Sequence, residues 1–185
     1  MIKLIMVDLD GTLLDTKKVN YMAYRDALQS YGYSIDYEYY CQYCNGRHYL
    51  DFLPQITTDN KDILKQMHTA KKRNYSKYLK FSKLNHHLTE MLHIMHTNCN
   101  IALVTTASKE NTYEILEKFC ITELFDLVLT YNDVRKCKPD PEGFKKAMTH
   151  FHVTSEETIV FEDSDIGIKA AVLSGAQCFV VKGFN

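Results

Sequence analysis

The apolar positions of this chain alternate between short unbroken runs and longer spaced patterns. Lys3–Asp8 (KLIMVD) reads as a buried strand, stopped at Asp10-Gly11. Ile101–Val104, Leu127–Leu129 and Thr158–Phe161 repeat that pattern, and Gln177–Val181 supplies a fifth run. Between them, helical patterns lie near residues 86–97, 109–120, 141–151 and 165–174. Ser108 stands where a helix N-cap belongs, and Glu110 sits in the first turn, where a carboxylate suits the helix dipole. Strands alternating with helices of about 10–15 residues predict βαβ units, and so a parallel sheet covered on both faces.

Residues 17–84 break this rhythm. One helical stretch ends near Gly32, Glu38–Tyr43 starts another, and Asp59–Phe81 reads as one long helix. No strand-like run of comparable quality occurs there. The expected architecture is therefore α/β: a Rossmann-like parallel-sheet core (1–16 and 85–185) with a small helical cap (17–84) inserted after the first strand. Ligands of an open α/β sheet bind at the carboxyl ends of the strands, so such an insert is expected to cover that edge. Composition sharpens the division. Residues 16–84 hold 12 basic and 6 acidic residues, a balance of +6, whereas the remainder balances at -7. Of the 13 tyrosines, 11 lie between Tyr21 and Tyr78. A basic, tyrosine-rich unit is set into an acidic one.

The same composition narrows the function classes. A hydrophobic fraction of 45% with 24% charged residues is that of a soluble globular domain. No apolar run approaches the roughly 20 residues that span a bilayer, and residues 1–8 do not form a signal peptide. Six cysteines spread along the chain are read as reduced thiols, hence a cytoplasmic location. A net charge of -1 gives no reason to invoke nucleic acid. The expected partner is a small molecule, and the expected state a monomer.

The chemistry gathers on one predicted edge. The first strand ends in Asp8-Leu9-Asp10-Gly11-Thr12, and the second in Thr105-Thr106. The loop after the third carries Lys138-Pro139-Asp140-Pro141, and the fourth strand ends in Glu162-Asp163. Carboxylates brought this close raise one another's pKa unless a cation joins them, and Mg²⁺ takes oxygen ligands. Asp8 and Asp10, two apart in an extended segment, start on one side before the bend at Gly11. One carboxylate can then attack phosphorus while the other, proton-bearing, serves the leaving oxygen. Lys138 offers a positive charge to phosphate oxygens, and Thr105 a hydroxyl donor. Cys41-Gln42-Tyr43-Cys44 has metal or redox spacing but no second pair, and His86, His87, His93 and His96 read as ordinary helix residues. The Lys71-Lys72-Arg73 run reads as a solvated helix face. Arg47 and Tyr49 are the candidate cap contacts.

As a set these motifs resemble the haloacid dehalogenase-like superfamily, in the branch of β-phosphoglucomutase and phosphoglycolate phosphatase. Asp8-Leu9-Asp10-Gly11-Thr12 is similar to its first motif, Leu103-Val104-Thr105 to its second, and Lys138-Pro139-Asp140-Pro141 to its third. Phe161-Glu162-Asp163-Ser164, followed by Gly167-Ile168, is similar to its fourth. The resemblance implies Asp8 as nucleophile and Asp10 as general acid and then base. It implies Thr105, Thr106 and Lys138 on the phosphoryl group. It also implies Mg²⁺ held among Asp8, the Asp10 carbonyl, Glu162 and Asp163. The expected activity is a phosphatase acting on a small phosphorylated metabolite through an aspartyl phosphate. A phosphomutase and a catalytically idle phospho-ligand binder are the alternatives. Asp10 argues against a dehalogenase, which has no leaving group to protonate.

Overall fold

The computed structural model describes residues 1–183 and divides the chain into two compact units, Thr16–Ser82 and the remainder. The remainder is an α/β layer structure. Its sheet has five strands: β1 (Leu4–Val7), β4 (Asn100–Val104), β5 (Leu127–Leu129), β6 (Thr158–Glu162) and β7 (Gln177–Val180). They lie in the order β5-β4-β1-β6-β7 and every pairing is parallel. Two short strands, β2 (Leu14–Asp15) and β3 (Lys83–Leu84), pair antiparallel where the chain leaves this unit and returns to it.

The central position of β1 explains its composition. Every side chain of LIMV is buried, as a strand covered on both faces requires. Helices α5 (His86–Met95), α6 (Lys109–Lys118), α7 (Glu142–Phe151) and α8 (Asp165–Ser174) connect the strands. Phe144, Ala147, Ala170 and Ala171 meet Leu4, Met6, Ala102 and Val160 in one core. Ser108 does cap α6, accepting from the Asn111 amide at 3.4 Å.

The unit Thr16–Ser82 is helical. It contains α1 (Lys17–Gln29), a short helix α2 (Tyr37–Tyr39) that runs into a π-turn over Tyr40–Cys44, α3 (Tyr49–Ile56) and α4 (Lys61–Asn74). Tyr24, Leu28, Tyr40, Phe52, Leu64 and Met67 form its core. The single helix expected over 59–81 is instead two elements. The Asn60 side chain accepts from the amides of Asp62 and Ile63, which fixes the start of α4. Beyond Asn74 the backbone tightens to a 3₁₀ helix over Ser76–Phe81, a common way for a helix to end. Among the described residues no helix is long and apolar enough to cross a membrane.

Candidate active site

The strand order brings the sequence motifs to one edge. β1 lies between β4 and β6, so Asp8, Thr105 and Glu162 follow or end three adjacent strands. Loop 8–14 is a closed turn. The amides of Leu13 and Leu14 both return to the Leu9 carbonyl, at 3.1 and 2.9 Å, and the Gly11 amide bonds the Leu14 carbonyl at 2.8 Å. Gly11 has φ +102°, and a Cβ there would stand 2.1 Å from Asp163 Oδ2. Glycine is required at that position for both reasons: the left-handed backbone and the carboxylate lying against it.

Lys138 ties the edge together. Its ammonium donates to Asp8 Oδ1 at 2.6 Å, to Glu162 Oε1 at 2.6 Å and to the Val104 carbonyl at 2.8 Å. The side chains of Lys138, Asp8 and Glu162 are 6%, 10% and 0% exposed. Burial opposes the charge on Lys138, but Asp8 and Glu162 outweigh it and hold the ammonium above its ordinary pKa. Burial pushes the Asp8 carboxyl well above the usual carboxylate range; Lys138 opposes that rise and Glu162 adds to it. Burial likewise lifts Asp163 to about 6, against the pull of the Thr12 hydroxyl.

Two carboxylates therefore share one ammonium, and a third lies beside them. Asp8, Glu162 and Asp163 each bring an oxygen within 4.8 Å of the others, so the excess negative charge has one focus. A hard divalent cation suits this oxygen donor set. The three acids are not equivalent. Glu162 Oε2 already accepts from the amides of Asp163 and Ser164 and from the Ser164 hydroxyl, at 3.0 to 3.1 Å. Its carboxylate also lies against α8, where a Cβ on Gly167 would come within 1.9 Å of Oε1. Glu162 is held by Lys138, two amides and a hydroxyl, while Asp163 accepts from the Thr12 hydroxyl at 3.0 Å.

The remaining expected residues are placed as follows. Thr105 is buried, and its Oγ1 accepts from the Ala107 amide at 3.0 Å, which leaves the hydroxyl proton to donate; Thr106 beside it is exposed. Asp10 is half-buried and bridges to Leu14. In the helical unit Arg47 is exposed, and the Tyr49 ring stacks on His68 at 4.2 Å. Sequence reasoning assigned no role to Thr12 or Ser164. Both lie inside motifs it had singled out, and hydroxyls adjoining carboxylates were the available signal.

A parallel α/β sheet with a lysine-bound acidic cluster at its carboxyl edge defines the architecture of an open-sheet enzyme. The chain belongs to the haloacid dehalogenase-like hydrolases: that family's model matches residues 5–181. A phosphorylated carbohydrates phosphatase of Thermotoga maritima is 30% identical, over 94% of this chain and 82% of its own length. The pyrophosphatase PpaX of Halalkalibacterium halodurans is 26% identical over 97% of this chain and 83% of its own. In fold, the chain is similar to CbbY from Rhodobacter sphaeroides, solved in complex with phosphate. The TM-score is 0.84 at 23% identity, covering 100% of this chain and 88% of that one.

Proposed function

We propose that this hydrolase is a Mg²⁺-dependent phosphatase that cleaves a small phosphate monoester through an aspartyl phosphate on Asp8. The carrying observation is the Lys138 bridge, which holds an attacking carboxylate beside a fixed ammonium at the end of the central strand. The names of the relatives, a phosphatase and a pyrophosphatase among them, support the same reaction class.

In the first half-reaction Asp8 Oδ attacks phosphorus and the bond from phosphorus to the leaving oxygen breaks. Asp10 gives its proton to that oxygen. In the second half, Asp10 takes a proton from water as the water oxygen attacks phosphorus, and Asp8 is released as carboxylate. Lys138 places its positive charge beside the phosphoryl oxygens as charge builds on them, the Thr105 hydroxyl donates to one, and Thr106 lies beside them. Asp8, Asp163 and the Asp10 carbonyl would hold the Mg²⁺, with Glu162 reaching it through water because its own oxygens are engaged. When bound, the ion neutralises the excess charge of the acids and polarises the phosphoryl group. Residues 17–84 serve as the cap, with Arg47 and Tyr49 as candidate substrate contacts. Their insertion between β2 and β3, a few residues after the nucleophile, supports that reading.

The test is release of inorganic phosphate from an aryl phosphate, with Mg²⁺ or EDTA, by wild type and Asp8→Asn. Turnover that needs Mg²⁺ and disappears in the variant is expected. Turnover surviving in Asp8→Asn would refute the assignment.

A further inference from the structure

Asn85 is the first residue after β3, where the chain has just re-entered the α/β unit, and it does two things at once. Its Oδ1 caps α5 by accepting from the Leu88 amide at 3.2 Å. Its Nδ2 donates to the Thr12 carbonyl at 3.2 Å. Because a backbone amide can only donate, the cap fixes which end of the Asn85 side chain faces Thr12. The main chain reinforces the join. The Asn85 amide bonds the Leu13 carbonyl at 2.9 Å, and the Asn85 carbonyl accepts from the amide and hydroxyl of Thr89, both at 2.9 Å.

Thr12 carries the connection onward. It is fully buried, and its hydroxyl donates to Asp163 Oδ1 at 3.0 Å. Beside it Asp163 lies so close over Gly11 that no Cβ fits between them. A continuous run of hydrogen bonds thus leads from the first turn of α5, through Asn85 and both ends of Thr12, to a carboxylate of the acidic cluster. Groups bonded directly to a metal-binding carboxylate, as Thr12 is to Asp163, set its orientation, and losing one costs about 10-fold to 100-fold in metal affinity or activity; Asn85, acting through Thr12, is placed at the low end.

We propose that Asn85 is a positioning residue for phosphoryl transfer, holding Thr12 so that its hydroxyl fixes the Asp163 carboxylate. This rests on the phosphatase reading above. The plain alternative is that Asn85 only caps α5. Asn85→Asp and Asn85→Ser separate the two, because Asp and Ser cap helices about as well as Asn. Neither can donate to the Thr12 carbonyl as Asn85 does: Asp turns an oxygen toward it, and Ser is too short to reach.

The experiment measures kcat and KM on an aryl phosphate, thermal unfolding, and Mn²⁺ binding by EPR titration without substrate, at a temperature where all proteins are folded. Both variants are expected to keep the wild-type Tm within about 3 °C, since the cap is retained. Their kcat should fall about 10-fold with KM little changed, and their Mn²⁺ dissociation constant should rise about 10-fold. Wild-type kcat and Mn²⁺ affinity in both variants would overturn the proposal and leave Asn85 a helix cap. So would an activity loss that tracks a lowered Tm while Mn²⁺ binding is unchanged. Wild type that binds Mn²⁺ but turns over no phosphate ester would sink the phosphatase reading instead, and the Mn²⁺ titration would still judge Asn85.

Discussion

Replacing Lys138 with Met removes the one cation that Asp8 and Glu162 share and leaves a side chain of similar length. The cost can be worked in two ways. Two charge-assisted hydrogen bonds of 2.6 Å are lost, each contributing about 1.5–3 kcal/mol. Treated instead as a broken buried ion pair, the loss is about 3–5 kcal/mol, because the two acids stay behind nearly inaccessible to water. The routes agree on roughly 4 kcal/mol, which for a chain of this size lowers Tm by about 10 °C. The assay is thermal unfolding by circular dichroism in EDTA, at pH 7.5 and pH 5.5. The sign with pH follows from the charges. Without the lysine Asp8, already raised by burial, holds its proton more tightly, so its protonation relieves the repulsion and the deficit shrinks at pH 5.5. Lys138→Met/Glu162→Met should recover part of the loss, since apolar side chains replace the orphaned acid. A Lys138→Met Tm within 2 °C of wild type at pH 7.5, a shift worth under about 1 kcal/mol, would refute this account of what the lysine does.

Three further outcomes follow from other parts of the chain. Asp10→Asn should retain a burst of aryl alcohol, because a phenolate leaves without a proton, while steady-state turnover falls about 100-fold or more for lack of a base; full steady-state turnover would remove Asp10 from the mechanism. Gly11→Ala should lose about 1–3 kcal/mol and weaken Mn²⁺ binding together, because the new Cβ displaces the Asp163 carboxylate. Stability with normal metal binding in urea and EPR titrations would contradict that. In the helical unit, burial first, then Lys71, Lys72 and His48, pull His68 down to about 3, and its Nδ1 shares a hydrogen bond with the Tyr24 hydroxyl at 2.9 Å. The unfolded chain therefore takes up this proton first as pH falls. The contribution is whole above about pH 6.5 and is lost toward pH 3, by at most about 2 kcal/mol at pH 5. Urea midpoints at pH 7 and pH 5 should show that fall in wild type and a smaller one in His68→Gln.

What could be read in the sequence, and what could not, depends on how local the determining interaction is. β1 and its closing turn were legible because burial on both faces and a bend at Gly11 are written in adjacent residues. The five core strands were legible for the same reason, each being a short apolar run ended by polar residues. β2 and β3 were not, because two-residue strands have no period to detect; they exist through their pairing, Leu14 with Leu84 and Asp15 with Lys83. The break between α4 and the 3₁₀ helix was missed because the apolar spacing through Tyr75 and Leu79 suits either helix.

The same distinction runs through the site. Residue types and order marked Asp8, Thr105, Lys138, Glu162 and Asp163, but the division of labour between the paired acids did not follow from type. Glu162 ends β6 fully buried, while Asp163, one residue beyond the strand, is half-buried beside Gly11. One carboxylate becomes an anchor gripped by Lys138 and two amides, and the other faces the loop after β1 through the Thr12 hydroxyl. Asn85 shows where a local signal was present but incomplete. An Asn just before a helical pattern announces an N-cap, and that half of its role is local. The other half spans 73 residues to Thr12, and the pairing of β2 with β3, extended by the Asn85 amide on the Leu13 carbonyl, brings those two positions together. The short strands that sequence periodicity could not show are thus the elements that connect Asn85 to the acidic cluster.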